Sequence, residues 1–141
     1  KRKQTINAFS NYKKINLIKK TRATYTNENK EFRVCIGVSK KYERPYQRYW
    51  YAYLSNYDSF LKDGKESYYI VSCINHDFSY AIPRKIMEEN LKNMNITDRE
   101  NKKYWHVSLI EETDGLYMSL PKIKNKISLD EYKFDDKAKN D

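Results

Sequence analysis

A chain of 141 residues has the length of one ordinary domain, and with three Gly and three Pro it is neither a linker nor a low-complexity tract. No run of about 18 apolar residues occurs, which excludes a bilayer-spanning helix. The net charge of +9 favours a polyanionic partner, and it is concentrated: residues 1–22 hold eight basic side chains and no acid, leaving the rest close to neutral.

Residues 1–5 are expected to be mobile. Residues 6–20 read as a helix carrying Ala8, Tyr12 and Ile15 on one face, so that 1–22 form a basic N-terminal arm or helix. TNENKE at 26–31 is a polar turn. Val34, Ile36 and Val38 alternate within 32–39, which predicts a half-buried strand. Residues 40–47 form a loop held open by Pro45. Residues 48–54 alternate strictly, with Tyr49, Tyr51 and Tyr53 on one face and Trp50, Ala52 and Leu54 on the other; Trp50 is expected to be buried. A short turn or helix occupies 57–66, a strand 67–74, and its neighbour 78–82. Pro83 opens a helix running to residue 94, with Met87, Leu91 and Met94 at helical spacing. Residues 95–103 are a polar connection and 104–110 a strand. Asp114-Gly115 is a hairpin turn whose return strand is 116–120. A short strand near 127–129 precedes a charged tail over 135–141.

The sum is a single α+β domain over 23–134. It has a curved mixed or antiparallel sheet of five to seven strands, with a partly closed barrel as a variant, and one or two helices. Two cysteines, Cys35 and Cys73, do not make a disulfide framework, and the N-terminus lacks the apolar core of a signal peptide, so the expected compartment is the cytoplasm. The opening Lys1-Arg2-Lys3 without an initiator Met suggests a domain from a longer chain, with further domains as partners.

The segment 40–53, KKYERPYQRYWYAY, carries the sharpest functional pattern. Lys40, Lys41, Arg44 and Arg48 alternate with Tyr42, Tyr46 and the strand aromatics. Cations contact phosphates or base edges, and aromatic faces stack on exposed bases. In the basic arm, Lys13, Lys14, Lys19 and Lys20 would track a phosphate backbone; the plain alternative is a linker. Both patterns make DNA, in duplex form, the expected partner and a membrane an unexpected one. Tyr104-Trp105-His106 offers a histidine beside an indole, suited to a base pocket or to an ordinary hydrogen-bonded strand position. Asn75-His76-Asp77 sits at a strand exit, where an Asx turn is the simpler reading. Cys73 and His76 have ligand-like spacing, but structural zinc sites show two such pairs, so no metal is expected. Asp114, Glu131 and Lys133 fit a D…ExK spacing loosely, and in a chain one third charged such matches arise by chance. The alternative they define is a magnesium-dependent endonuclease; otherwise no cofactor is expected. No HNH, GIY-YIG or Walker pattern is present. A second alternative is an RNA-binding or protein-interaction module built on the Tyr-rich strands.

Tyr49-Trp50-Tyr51-Ala52-Tyr53, Tyr80-Ala81-Ile82-Pro83 and Tyr104-Trp105-His106-Val107, in this order, resemble a DNA-recognition domain of bacterial restriction and defence-type proteins, over roughly residues 32–134. The resemblance implies DNA recognition or association with a nuclease. It assigns no catalytic residue. If the relative is modification-dependent, an aromatic pocket for a flipped base is implied, with Tyr49, Tyr51 and Trp105 as walls and His106 beside them.

Overall fold

The computed structural model describes residues 1–44 and 47–137, and among these are three α-helices and eleven strands in two sheets, neither closed into a barrel. The architecture is α+β with mixed and antiparallel pairing.

The first sheet contains β1 (Ile18–Lys19), β2 (Thr24–Thr26), β3 (Phe32–Ser39), β5 (Glu66–Cys73), β6 (Phe78–Pro83) and β11 (Lys133–Asp135), in the order β1-β2-β3-β5-β6-β11. β3 and β5 run parallel from Phe32↔Glu66 to Ser39↔Cys73. Parallel neighbours need a long crossover; here it is β4 (Tyr49–Leu54) and α2 (Ser55–Lys62). β4 belongs to the second sheet, with β7 (Ile96–Arg99), β8 (Lys102–Glu112), β9 (Gly115–Leu120) and β10 (Asn125–Ser128). The order there is β10-β9-β8-β4, with β7 on the first part of β8.

The two sheets pack face to face. Tyr49, Tyr51 and Tyr53 of β4 and Leu109 of β8 meet Tyr69, Val71 and Ile82 from the first sheet in one buried cluster. Leu61 of α2 and Met87 of α3 (Arg84–Asn90) join the same cluster. Strict alternation in β4 reflects one buried face, whereas the last five residues of β5 are all buried because that sheet is covered on both sides. The second cover is α1 (Arg2–Lys13), whose Ile6 and Phe9 pack on Val34, Ile36, Ile70, Ala81 and Phe134.

α1 starts and ends earlier than its apolar spacing suggests. Lys14 takes a left-handed conformation, Ile15 N–H donates to Ser10 O at 3.0 Å and Lys14 N–H to Asn11 O at 3.3 Å, which is a Schellman ending. The chain that follows enters β1 instead. Nor do residues 1–5 lead in loosely. Lys1 Nζ pairs with Asp136 at 3.0 Å, and Thr5 Oγ1 donates to Asp136 Oδ2 at 2.8 Å. The charged tail thus begins with a buried carboxylate, and Phe134 of β11 lies in the core beneath α1.

Trp50 is half-exposed, contrary to its expected burial, because the tyrosine face of β4 points inward. Three of those inward phenols find acceptors: Tyr49 Oη donates to Asn75 Oδ1 (3.1 Å), Tyr51 Oη to Ser72 O (3.0 Å) and Tyr53 Oη to Asp58 Oδ1 (2.8 Å). Satisfied phenols can line a core, since the cost of burying a hydroxyl is that of leaving it unbonded. Among the described residues, no helix is long and apolar enough to cross a membrane.

Candidate nucleic-acid interface

The loop between β3 and β4 leaves and rejoins the body through backbone bonds. Tyr42 N–H donates to Arg48 O (2.7 Å), and Arg48 N–H to Leu109 O of β8 (2.8 Å). Arg48 braces this loop: its guanidinium lies 3.4 Å from Glu43 and 3.9 Å from Glu111. Lys41 also reaches Glu111, at 3.9 Å. Lys40 and Arg44 are exposed, and the Lys40 ammonium sits 5.2 Å above the Tyr42 ring. Two of the four loop cations, Lys41 and Arg48, therefore pair with an acid, and Lys40 and Arg44 face solvent. Tyr46 and Pro45 lie outside the described residues.

Beside this loop is a groove of about 490 Å³. It opens where β2 stops covering β3. The β2 ladder ends at Thr24↔Cys35, with one more bond from Ile36 N–H to Ala23 O, and Gly37, Val38 and Ser39 line the gap beyond. Trp50 and Tyr57 form its aromatic walls, and Arg2 and Lys40 its cationic rim. Among the described residues no acid lines it. Burial raises the Tyr57 hydroxyl above its ordinary value while the Arg2 and Arg22 charges pull it down. Gly37 is required by space: a Cβ there would stand 2.8 Å from Tyr69 Oη and 2.9 Å from Tyr51 Cδ2.

Trp50 also belongs to an aromatic row on the outer face of the second sheet. Its ring centroid is 5.5 Å from that of His106, which is 5.1 Å from Tyr104; all three are half-exposed. His106 Nε2 is fixed by a 2.7 Å hydrogen bond with Thr97 Oγ1 on β7, and Lys102 Nζ lies 5.3 Å over the Tyr104 ring. Groove and row share the Trp50 indole, so flat surface and positive charge run continuously from one sheet edge onto the other sheet.

The remaining sequence candidates scatter. Tyr49 and Tyr51 are buried at 0% and 3% exposure, so they cannot wall an open base pocket; Trp105 packs against the same core. His106 points to the other face, which follows from alternation along β8. Lys13 and Lys14 lie at the far end of α1, about 17 Å from Arg2 by helix rise. Lys13 is held by the Tyr68 ring and by Glu66 at 3.8 Å. Lys19 and Lys20 are exposed at the β1 edge. His76 stands 3.5 Å from Glu111 and edge-on to Tyr49, and its N–H closes a turn onto Cys73 O. Cys35 and Cys73 are buried thiols, the second pushed up to about 12 by burial. Asp114 accepts from Tyr117 Oη at 2.7 Å, Glu131 is exposed, and Lys133 lies 4.1 Å over the Phe78 ring. Among the described residues, no three His, Cys, Asp or Glu side chains gather as metal ligands. Sequence reasoning missed Arg2, Gly37, Tyr57 and Tyr69. Arg2 was visible only as one of many cations, and the other three are brought together by the packing of β3, α2 and β5 rather than by any local motif.

Compared with protein-family models, curated proteins and solved structures, the chain matches none. The resemblance to restriction and defence-type domains accordingly rests on its three short aromatic motifs.

Proposed function

We propose that this chain is a non-catalytic DNA-binding module of a restriction, defence or mobile-element protein, acting in the cytoplasm. The observation that carries the reading is the groove beside the β3–β4 loop, rimmed by Arg2 and Lys40, walled by Trp50 and Tyr57, and lined by no acid among the described residues. Arg44 and Lys40 supply phosphate contacts, and Arg22, Lys19 and Lys20 extend the positive edge. Neutralising phosphates releases counterions and gives salt-dependent affinity. Arg48 and Lys41 serve the loop's shape, because Glu111 and Glu43 occupy them.

The test is fluorescence anisotropy with duplex DNA, single-stranded DNA and RNA over a salt series, for the wild type and an Arg2→Ala/Lys40→Ala/Arg44→Ala variant. Duplex binding whose salt slope falls by up to about 0.9 for each phosphate the variant no longer neutralises supports the reading. Absence of binding to every nucleic acid at low salt refutes it. The row Trp50, His106 and Tyr104 favours a second reading, in which unpaired DNA or RNA bases stack on the open sheet. Tighter binding to single strands than to duplex would select it.

A further inference from the structure

β3 outruns one of its two neighbours. Its pairing with β5 continues to Ser39↔Cys73, whereas the β2 ladder stops at Thr24↔Cys35 and the last backbone bond on that side is Ile36 N–H to Ala23 O. Successive residues of a strand turn their N–H and C=O to opposite neighbours. Ile36 faces β2, and Ser39, whose C=O accepts from Ile74 N–H, faces β5. Val38 therefore presents both backbone groups to the side that β2 has left, and neither has a partner among the described residues. The facing wall of the groove is a second sheet edge: β4 ends its sheet, and Trp50, Tyr51 and Ala52 lie opposite Gly37, Val38 and Ser39. Trp50 N–H bonds across the gap to Ser39 Oγ at 3.0 Å, which closes one end. Open strand edges are templates for pairing with another chain, and folded proteins usually cover or blunt them.

We propose that this edge accepts a strand from a partner protein: an extended acidic segment that pairs with Val38 along the line β2 abandons, its side chains alternating between apolar and acidic. Strand addition draws affinity from main-chain bonds and specificity from the surroundings of every second side chain. The apolar set meets Trp50, Tyr57 and Ile74, the last of which is 55% exposed. Carboxylates are favoured because the charged side chains lining the groove are Arg2 and Lys40, with no acid among the described residues. From Ile36 to Lys40 the edge runs about 14 Å, room for four or five residues of a guest strand. A nucleic acid would answer the charge of Lys40 but has no row of amides to match Val38, so the open edge favours a polypeptide. The inference goes beyond the DNA-binding reading and stands without it.

The experiment screens the whole chain against a synthetic array of short peptides with Asp or Glu at alternate positions and Val, Ile, Phe or Tyr between them. The best binder is then followed by fluorescence anisotropy. Its analogue with Lys in place of every acid should bind far more weakly. Two further analogues carry N-methyl groups on alternate backbone nitrogens, one in each register. The register that faces β3 should weaken binding by about tenfold, and the other much less. Residue-resolved amide exchange should show Val38 slowed by the bound peptide, while Gly37 and Ser39, whose backbones face β5, change little. Lys40→Ala and Trp50→Ala should each weaken the peptide severalfold. No array peptide bound at low salt, N-methyl registers that bind equally, or a bound peptide that leaves Val38 exchange unaltered overturns the strand site. Failure of every peptide beside salt-sensitive duplex binding leaves the DNA-binding reading intact, and peptide binding without duplex binding does the reverse.

Discussion

Replacing Phe9 by Ala tests whether the basic N-terminal segment is a structural layer or an arm. Phe9 is fully buried, with ring centroids 5.1 Å from Phe134, 5.4 Å from Tyr68 and 6.2 Å from Phe32. Truncating a buried Phe costs about 3–5 kcal/mol, from lost transfer energy and the cavity left behind. The other buried side chains of α1 are Thr5 and Ile6, both in its first half. A helix of 12 residues is marginal in water on its own, so loss of the Phe9 anchor should release the whole of α1. With a urea slope of about 2 kcal/mol per M, a loss of about 4 kcal/mol lowers the unfolding midpoint by about 2 M. Amide exchange should show residues 2–13 losing protection first, ahead of β5 and β6. A midpoint shift below about 0.5 M, with α1 protection unchanged, would refute the three-layer account.

Asp136→Ala removes the buried acceptor shared by Lys1, Thr5 and Ser79, leaving Lys1 only His76 O and Thr5 only Ser72 Oγ, and breaking a buried pair of this kind should cost about 3–5 kcal/mol, read as a urea midpoint. Asp136→Asn, which keeps an acceptor, should lose less, and equal losses would refute the hydrogen-bonded role. At high pH, burial pushes the Cys73 thiol and the Tyr80 hydroxyl each up to about 12, and holds Tyr51 and Tyr69 well above their ordinary value. The folded state thus keeps protons that the unfolded chain releases from about pH 9–10 upward, so stability is intact below that range and falls as pH rises towards 12. Each fully buried group contributes a slope of about 1.4 kcal/mol per pH unit, and tyrosinate absorbance should appear together with unfolding. Gradual ionisation of most tyrosines in the folded chain would contradict the burial.

Periodicity is a sound guide where one physical cause dominates. The strand at 32–39 and the alternation of β4 follow from side chains fitting a pleated surface with one buried face. Period 2 separates the faces of β4 without saying which is inside, and the choice falls to three tyrosines whose hydroxyls find acceptors elsewhere in the fold. β7 and β11 are short and polar, and they form because long-range pairing with β8 and β6 supplies what their sequences do not. The basic segment 2–13 conceals a core helix because Ile6 and Phe9 are few among its cations and polar residues. The interface is legible as a segment of interleaved Lys, Arg and Tyr, but not as a site. Which cations face outward depends on Glu111, distant in sequence, and the open edge of β3 has no local signature.

The Lys1–Asp136 pair has an architectural consequence. Residues 1 and 136 meet at one spot, since the two side chains are 3.0 Å apart. The first helix and the last strand of the described body are thus closed on one another, an arrangement in which joining the two ends and opening the chain elsewhere is tolerated. A single buried carboxylate, Asp136, makes that closure.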